Sequence, residues 1–362
     1  MFNPTRLSFA RRRRGLSKVR LAELVGITAR SITAHEAGEK EPLPETVEAF
    51  SRELRFPVEF FFEGDLDEVN PDSASFRSLS SLTAGKRDAA IAAASIAVLL
   101  GRWLHTKFVL PTPAIPEFHE ATDPESAAAS VRLHWGLGQR PVGNLVHALE
   151  AHGVRVFSLS EDCRHLDAIS LWDGATPYVL LNTIKSPERS RFDAAHELGH
   201  LVLHRHGSPT GRQAEEEANT FAAAFLMPRE ALIARGLRAP ALSSIMEGKR
   251  NWGVSAMAYA FRLHRVQMMS DWYYHQIARK LSVLGFRSSE GERPRESSQV
   301  LGKVFEHMRG IGMTKGDLAR ELRILPSELD RFIFGLVITG LEGGAESSGL
   351  AARPAGLRLV RP

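Results

Sequence analysis

The stretch RFDAAHELGHLVLH, residues 191–204, decides how the middle of this chain folds and what chemistry it can carry. Phe192, Ala195, Leu198, Gly199, Val202 and Leu203 recur at helical spacing, so the stretch reads as one helix with an apolar stripe. Positions i and i+4 share a helix face, so His196 and His200 can direct imidazole nitrogens at one cation. Glu197 sits beside the first of them, where its carboxylate can take a proton from a water polarised at that cation. His-Glu-x-x-His is a pattern of zinc-dependent peptide hydrolysis. Unpaired imidazoles on so apolar an element would be costly to bury, which favours ligation over idle core histidines.

Zinc needs a third protein ligand, and the sequence offers a choice. His206 has the spacing of the extended pattern H-E-x-x-H-x-x-G-x-x-H, but Leu203 stands where a glycine would break the helix and swing the chain back. His204, one turn past His200, reads as a helix-end residue favoured by the dipole. The other source is the next helical stretch, AEEEANTFAAAFLMP at 214–228. Glu215 and Asn219 are again i and i+4, so one could ligate while the other hydrogen-bonds a histidine ligand. Small Ala218 and Ala222 would let the two helices approach closely, with Glu216 and Glu217 facing solvent. Upstream, GVRVFSLS, AISLWD and PYVLLNT are three short β-branched or aromatic runs bounded by turn residues, which suit a small sheet.

The chain opens differently, with ARRRRGLSKVRLAELVGITARSITAHEAGEK at 10–40. Arg6, Arg11, Arg12, Arg13, Arg14, Lys18 and Arg20 occur in the first 20 residues without an acidic partner, a local footprint suited to phosphates. Gly26 tolerates the positive φ that ends a helix, and Thr28 is a natural N-cap for the next, so the segment reads as helix, tight turn, helix. Leu21, Ala22, Val25, Ile27 and Ile32 form the apolar wedge between them.

Composition bounds the whole. The chain has 362 residues, 43% of them hydrophobic, enough for two or three cores, and a net charge of only +4, so it is no polycation. One cysteine, Cys163, excludes an intrachain disulfide framework and points to a reducing cytoplasm. The longest apolar run, AAIAAASIAVLLG at 89–101, is shorter than the roughly 20 residues that span a bilayer and reads as a buried helix. No membrane partner is expected.

These pieces predict a multidomain, mainly α protein: an all-α helix-turn-helix head at 1–66, a linker and long helix at 67–118, an α+β zincin-like domain with a small sheet at 119–235, a helical C-terminal region at 236–338, and a Gly/Ser/Pro-rich tail without order at 339–362. Within the C-terminal region TKGDLARELRILPSELDRFI, at 314–333, echoes SKVRLAELVGITARSITAHE at a constant offset. Arg323 replaces the turn glycine and acidic Glu328 and Asp330 fall on the second helix, so a packing or dimerisation role is expected there instead of DNA contact.

The first 65 residues, through LAELVGIT and SITAHEAGEKEP, resemble the XRE family of helix-turn-helix regulators, the Cro and phage-repressor type. The resemblance implies that the second helix of the pair enters the major groove of an operator, presenting Ala29, Arg30, Ser31, Thr33 and Ala34; of these only Arg30 can bond guanine bidentately. Arg11, Arg12, Arg13, Arg14 and Lys18 would then meet phosphates. ERSRFDAAHELGHLVLH through AEEEANTFAAAFLMP, with GVRVFSLSED, resembles the ImmA/IrrE metallopeptidases. That resemblance implies His196 and His200 as zinc ligands, Glu197 as catalytic base and Glu215 as third ligand, with Asn219 supporting a histidine. Tyr178, His204 and Arg191 are candidate oxyanion stabilisers. The expected protein is a homodimeric DNA-binding regulator whose zinc endopeptidase cleaves a partner repressor. The alternatives are a transcription factor using the same fold as a sensor without turnover, and an antitoxin-type regulator.

Overall fold

The computed structural model describes residues 1–70, 82–118, 122–159, 163, 166–205, 211–236, 239–286, 293–337 and 358–359. The protein is multidomain and mainly α. It divides into two compact units, one of Met1–Leu110, Phe157–His165 and Val300–Pro362, the other of Pro111–Val156 and Leu166–Gln299. The region expected as a single C-terminal stretch is therefore shared out, its first helices with the catalytic-motif unit and its last with the head.

In the first unit the head is built from helices Pro4–Arg13, Lys18–Val25, Ala29–Glu36 and Pro44–Leu54. Asn3, Ser17 and Thr28 cap three of them by accepting a backbone N–H two or three residues on, satisfying donors a helix start leaves orphaned. Gly26 ends the second helix at φ +76, a conformation costly for a side chain with a Cβ. Leu21, Ala22 and Ile32 fill the wedge, and Phe9, Phe50, Phe56, Phe60 and Phe61 close the core beneath them. The first helix also packs against the long helix Ala84–Lys107. That helix is long and apolar enough to cross a membrane, but 78% of its most apolar window is buried within the fold, as the core-helix reading requires. Cys163 is a buried free thiol.

The second helix-turn-helix pattern is realised as helices Lys315–Glu321 and Pro326–Ile333, with Arg323 at φ +53 in the turn. Thr314 and Asp317 form a reciprocal capping box on the first of them. Trp103 Nε1 of the long helix donates to Glu321 at 2.7 Å. Glu328, 1% exposed, meets Arg13 at 2.6 Å and Arg14 at 2.8 Å, with Arg331 at 3.7 Å. Burial alone would raise the Glu328 carboxyl, but the three guanidiniums outweigh it and hold it below its ordinary value. The tail, expected to lack order, contributes Arg358–Leu359, paired antiparallel with Phe108–Val109; the rest of 339–362 lies outside the described residues.

The second unit carries the sheet. Ala168–Asp173 and Thr176–Leu181 form an antiparallel hairpin, and the strand order puts Thr176–Leu181 between Ala168–Asp173 and Arg155–Ser158. The helix Pro187–Leu203 lies on the hairpin, and Arg212–Leu226 packs along that helix. Behind these come Pro124–His134 and the run Leu242–Trp252, Ala256–Arg265 and Asp271–Val283. Buried arginines tie the loops down: Arg132 donates to the carbonyls of Gly138, Phe225 and Arg140, and Arg191 to those of Val142 and Gly143 and to the Glu296 carboxylate.

Candidate metal centre and DNA-reading face

The helix that carries the motif starts at Pro187 behind the N-cap Ser186, whose side chain accepts from Arg189 N. It lies against the hairpin, so its buried stripe is committed to the sheet while His196 and His200 face the helix Arg212–Leu226. The two helices come unusually close because of Gly199: a Cβ there would stand 3.2 Å from Ala218 Cα and 3.1 Å from the Phe221 ring. Ala218 and Ala222 are fully buried in the same contact region.

That approach brings three donors together. His196 Nε2 and His200 Nε2 are 3.0 Å apart, and the Glu215 carboxylate oxygens lie 3.3 Å from the first and 3.6 Å from the second. A tetrahedral zinc with bonds of about 2.0–2.1 Å places its ligand atoms about 3.3 Å from one another, so the spacing and the two-nitrogen, one-oxygen donor set both fit that ion. The sequence left open whether His206 or a carboxylate completes the set; in the structure Glu215 stands beside the two histidines, and His206 lies outside the described residues. Among the described residues no other group of three His, Cys, Asp or Glu converges in this way.

Around the donors the hydrogen bonds are directional. His196 Nδ1 stands 3.1 Å from Asn219 Oδ1. His200 Nδ1 is 2.9 Å from His204 Nδ1, and His204 Nε2 is 3.1 Å from Glu217 Oε2. His204 caps the C-terminal end of the helix, as the sequence suggested, but it is also buried in the site, and Glu217 turns toward it where a solvated side chain was expected. The missed signal was the third histidine of an i, i+4, i+8 stripe.

Glu197 is buried beside His196, and Ser170 Oγ donates to its Oε2 at 2.5 Å. Burial pushes the Glu197 carboxyl up to about 7, against the opposing pull of His196 and the Ser170 hydrogen bond. Burial, then the neighbouring His196 charge, pushes His200 down to about 3, keeping its imidazole neutral as ligation demands. The hydrogen bond from His196 lowers Glu215. Burial opposes the charged form of His196, yet Glu215 and Glu197 together raise it.

Two of the oxyanion candidates are displaced. Arg191 is 2% exposed and spends its guanidinium on Val142, Gly143 and Glu296. Tyr178 follows the strand alternation: Val179 pairs with Ser170, the residue facing Glu197, so Tyr178 belongs to the opposite face of the sheet. A cleft of about 790 Å³ borders the site, lined among others by Phe192, Glu217, Asn219, Phe261 and Arg265.

On the head, the second helix of the pair keeps Arg30 and Thr33 exposed, with Ser31 half-buried. The arginine run does not form the open phosphate-binding face expected of it. Arg11 pairs with Glu36 at 2.6 Å and Arg12 with Glu68 at 2.6 Å, while Arg13, fully buried, and Arg14 close on Glu328. The reason is geometric: Arg11, Arg12 and Arg13 in the last turn and Arg14 at its cap point in different directions around the helix, and most of that circumference is covered. Lys18 remains 40% exposed and Arg20 60%, the latter beside Glu23.

Comparison with known families matches this division. Residues 7–61 match a helix-turn-helix family model, and residues 149–264 match the IrrE N-terminal-like domain of the peptidases. The chain joins a helix-turn-helix domain to an IrrE N-terminal-like domain. No curated protein matches it. The IrrE-like match runs on to 264, past the 235 at which the sequence reading ended the domain, and takes in the helices Leu242–Trp252 and Ala256–Arg265 of the same compact unit. The helix-turn-helix domain marks a DNA-binding regulator and the IrrE-like domain a peptidase-like one.

Proposed function

We propose that this protein is a transcriptional regulator whose IrrE-like domain is a zinc endopeptidase acting on a regulatory protein, a repressor above all. The observation that carries the reading is the placement of Glu197 beside the donor triad, buried and held by Ser170 with a carboxyl that titrates near neutrality. A general base works best when its pKa lies near the working pH. Zinc, held by His196, His200 and Glu215, supplies Lewis-acid chemistry for amide hydrolysis. Glu197 takes a proton from the attacking water through Oε1, its Oε2 being occupied by Ser170, and returns that proton to the leaving amine as the C–N bond breaks. Asn219 accepts from His196 Nδ1–H and so turns Nε2 toward the metal. The cleft beside Asn219 is large enough to hold several residues of a peptide, which supports a protein substrate.

The head takes the protein to an operator as a homodimer, reading bases with Arg30 and Thr33 and meeting phosphates with Lys18 and Arg20. Arg11, Arg12, Arg13 and Arg14 are left out of this assignment because they are more deeply buried against their partners than Lys18 is against Glu36 or Arg20 against Glu23.

Purified protein incubated with candidate repressors, with and without chelator, tests the enzyme. Glu197→Gln should keep zinc and DNA affinity and lose cleavage by at least about 10²-fold, because an amide cannot take the water's proton. A zinc-loaded Glu197→Gln protein that still drives the full transcriptional response would replace turnover with a sensor role. Glu215→Ala should weaken zinc binding strongly in a chelator competition; equal affinity would remove Glu215 from the ligand set.

A further inference from the structure

We propose that His204 and Glu217 are positioning residues that lock the proton of His200 on Nδ1 and thereby present its Nε2 lone pair to the metal. The inference rests on the reading of His196, His200 and Glu215 as a metal site. Its own evidence is the chain of contacts on the far side of the His200 ring.

The logic runs inward from the carboxylate. Glu217 accepts only, so the contact at 3.1 Å requires a proton on His204 Nε2. A neutral imidazole has one N–H, so His204 Nδ1 is then a bare acceptor. His200 Nδ1, 2.9 Å away, must be the donor, which leaves the lone pair of His200 on Nε2, the atom facing Glu215 and His196. With both rings neutral every link is directional, and reversing any one leaves two acceptors or two donors face to face. The terminal carboxylate is itself oriented, since Gln213 Nε2 donates to its other oxygen at 3.0 Å. His204 is only 3% exposed, so its ring cannot trade these partners for water.

The same geometry excludes two other roles. The Nδ1 of His204 faces the Nδ1 of His200, so its ring stands behind the ligand ring and away from the donor meeting point. It neither ligates the metal nor reaches an oxyanion there. A single helix, Arg212–Leu226, supplies the ligand Glu215, Asn219 behind His196, and Glu217 behind His204, at alternate positions. Without such partners an imidazole ligand loses orientation, and zinc affinity falls by roughly 10–100-fold.

The test uses the full chain with zinc as the only probe, in a chelator competition alongside imidazole ¹⁵N spectra of the metal-free protein. His204→Leu should weaken zinc by roughly 10–100-fold, and His204→Gln, whose carbonyl accepts from His200 and whose amide donates to Glu217, should restore most of it. The spectra should show His200 as the Nδ1–H tautomer in the wild type and as a mixture in His204→Leu. Glu217→Ala, at a half-exposed position that leaves the core intact, should give the same direction if His204→Leu does not fold. Wild-type zinc affinity in folded His204→Leu and Glu217→Ala, or an Nε2–H tautomer of His200 in the wild type, overturns the proposal. Loss of zinc in Glu215→Ala but not in these variants defeats the positioning role alone, whereas a wild type that binds no zinc defeats the metal site as well.

Discussion

The chain writes the same helix-turn-helix twice and uses it for opposite ends. Helices Lys18–Val25 and Ala29–Glu36 in the head correspond in register to Lys315–Glu321 and Pro326–Ile333, with Leu21 matched by Leu318, Ala22 by Ala319 and Ile32 by Leu329, all buried. The wedge is shared; the outward positions are not. Arg30 becomes Ser327, Ser31 becomes Glu328 and Thr33 becomes Asp330. In the first copy the second helix offers Arg30 and Thr33 to solvent, while in the second copy it buries Glu328 against Arg13 and Arg14 of the head's first helix. A scissor of two helices is thus a packing solution before it is a reading device. What it does is set by three or four residues on the surface of its second helix.

The largest expected effect comes from breaking the clasp. Glu328→Gln removes the buried carboxylate that Arg13, Arg14 and Arg331 share, and should destabilise the chain by roughly 3–5 kcal/mol in denaturant unfolding. A change below about 0.5 kcal/mol would show that the second copy does not depend on this contact. The contact also has a pH signature. The folded carboxyl lies below its ordinary 4.5, so its contribution is complete above about that pH and is lost as pH falls through the folded value. Wild type should therefore lose stability below about pH 4.5 more steeply than Glu328→Gln.

Next comes the reading surface. On duplexes selected from random sequence, Arg30→Ala should cost about 1–3 kcal/mol and relax preference at one base pair. Arg323→Ala, in the second copy, should leave DNA affinity unchanged, and a loss comparable to that of Arg30→Ala would make both copies readers. The smallest effects lie in the turns. Gly26→Ala, at φ +76, should destabilise by about 1 kcal/mol, whereas Arg323→Gly, relieving a side chain at φ +53, should stabilise by up to about 1 kcal/mol. The exposed Arg323–Glu63 pair is too weak to reverse that sign.

What was legible in the sequence was local. The i, i+4 rule put His196 beside His200 and Glu215 beside Asn219, the capping residues Ser17 and Thr28 began helices, and three β-rich runs became the three strands. What was illegible were partners brought in from elsewhere in the chain. A run of arginines is spelled the same whether it meets phosphates or an acidic residue 314 positions away, as Arg14 meets Glu328. Arg191 looked like a functional cation beside the motif and is an anchor for Val142 and Gly143. His204 is the helix end that the sequence suggested, but its pairing with Glu217, read as a solvated face, could not be seen because nothing local says that the two find each other.

Gly199 sets a spacing in the candidate metal centre that none of its donor residues controls. A methyl group at that position would press on the Ala218 backbone at 3.2 Å, and backbone, unlike a flexible side chain, can yield only by moving its whole helix. Since Glu215 rides on that helix and the two histidines on the other, the bare α-carbon works as a spacer gauge.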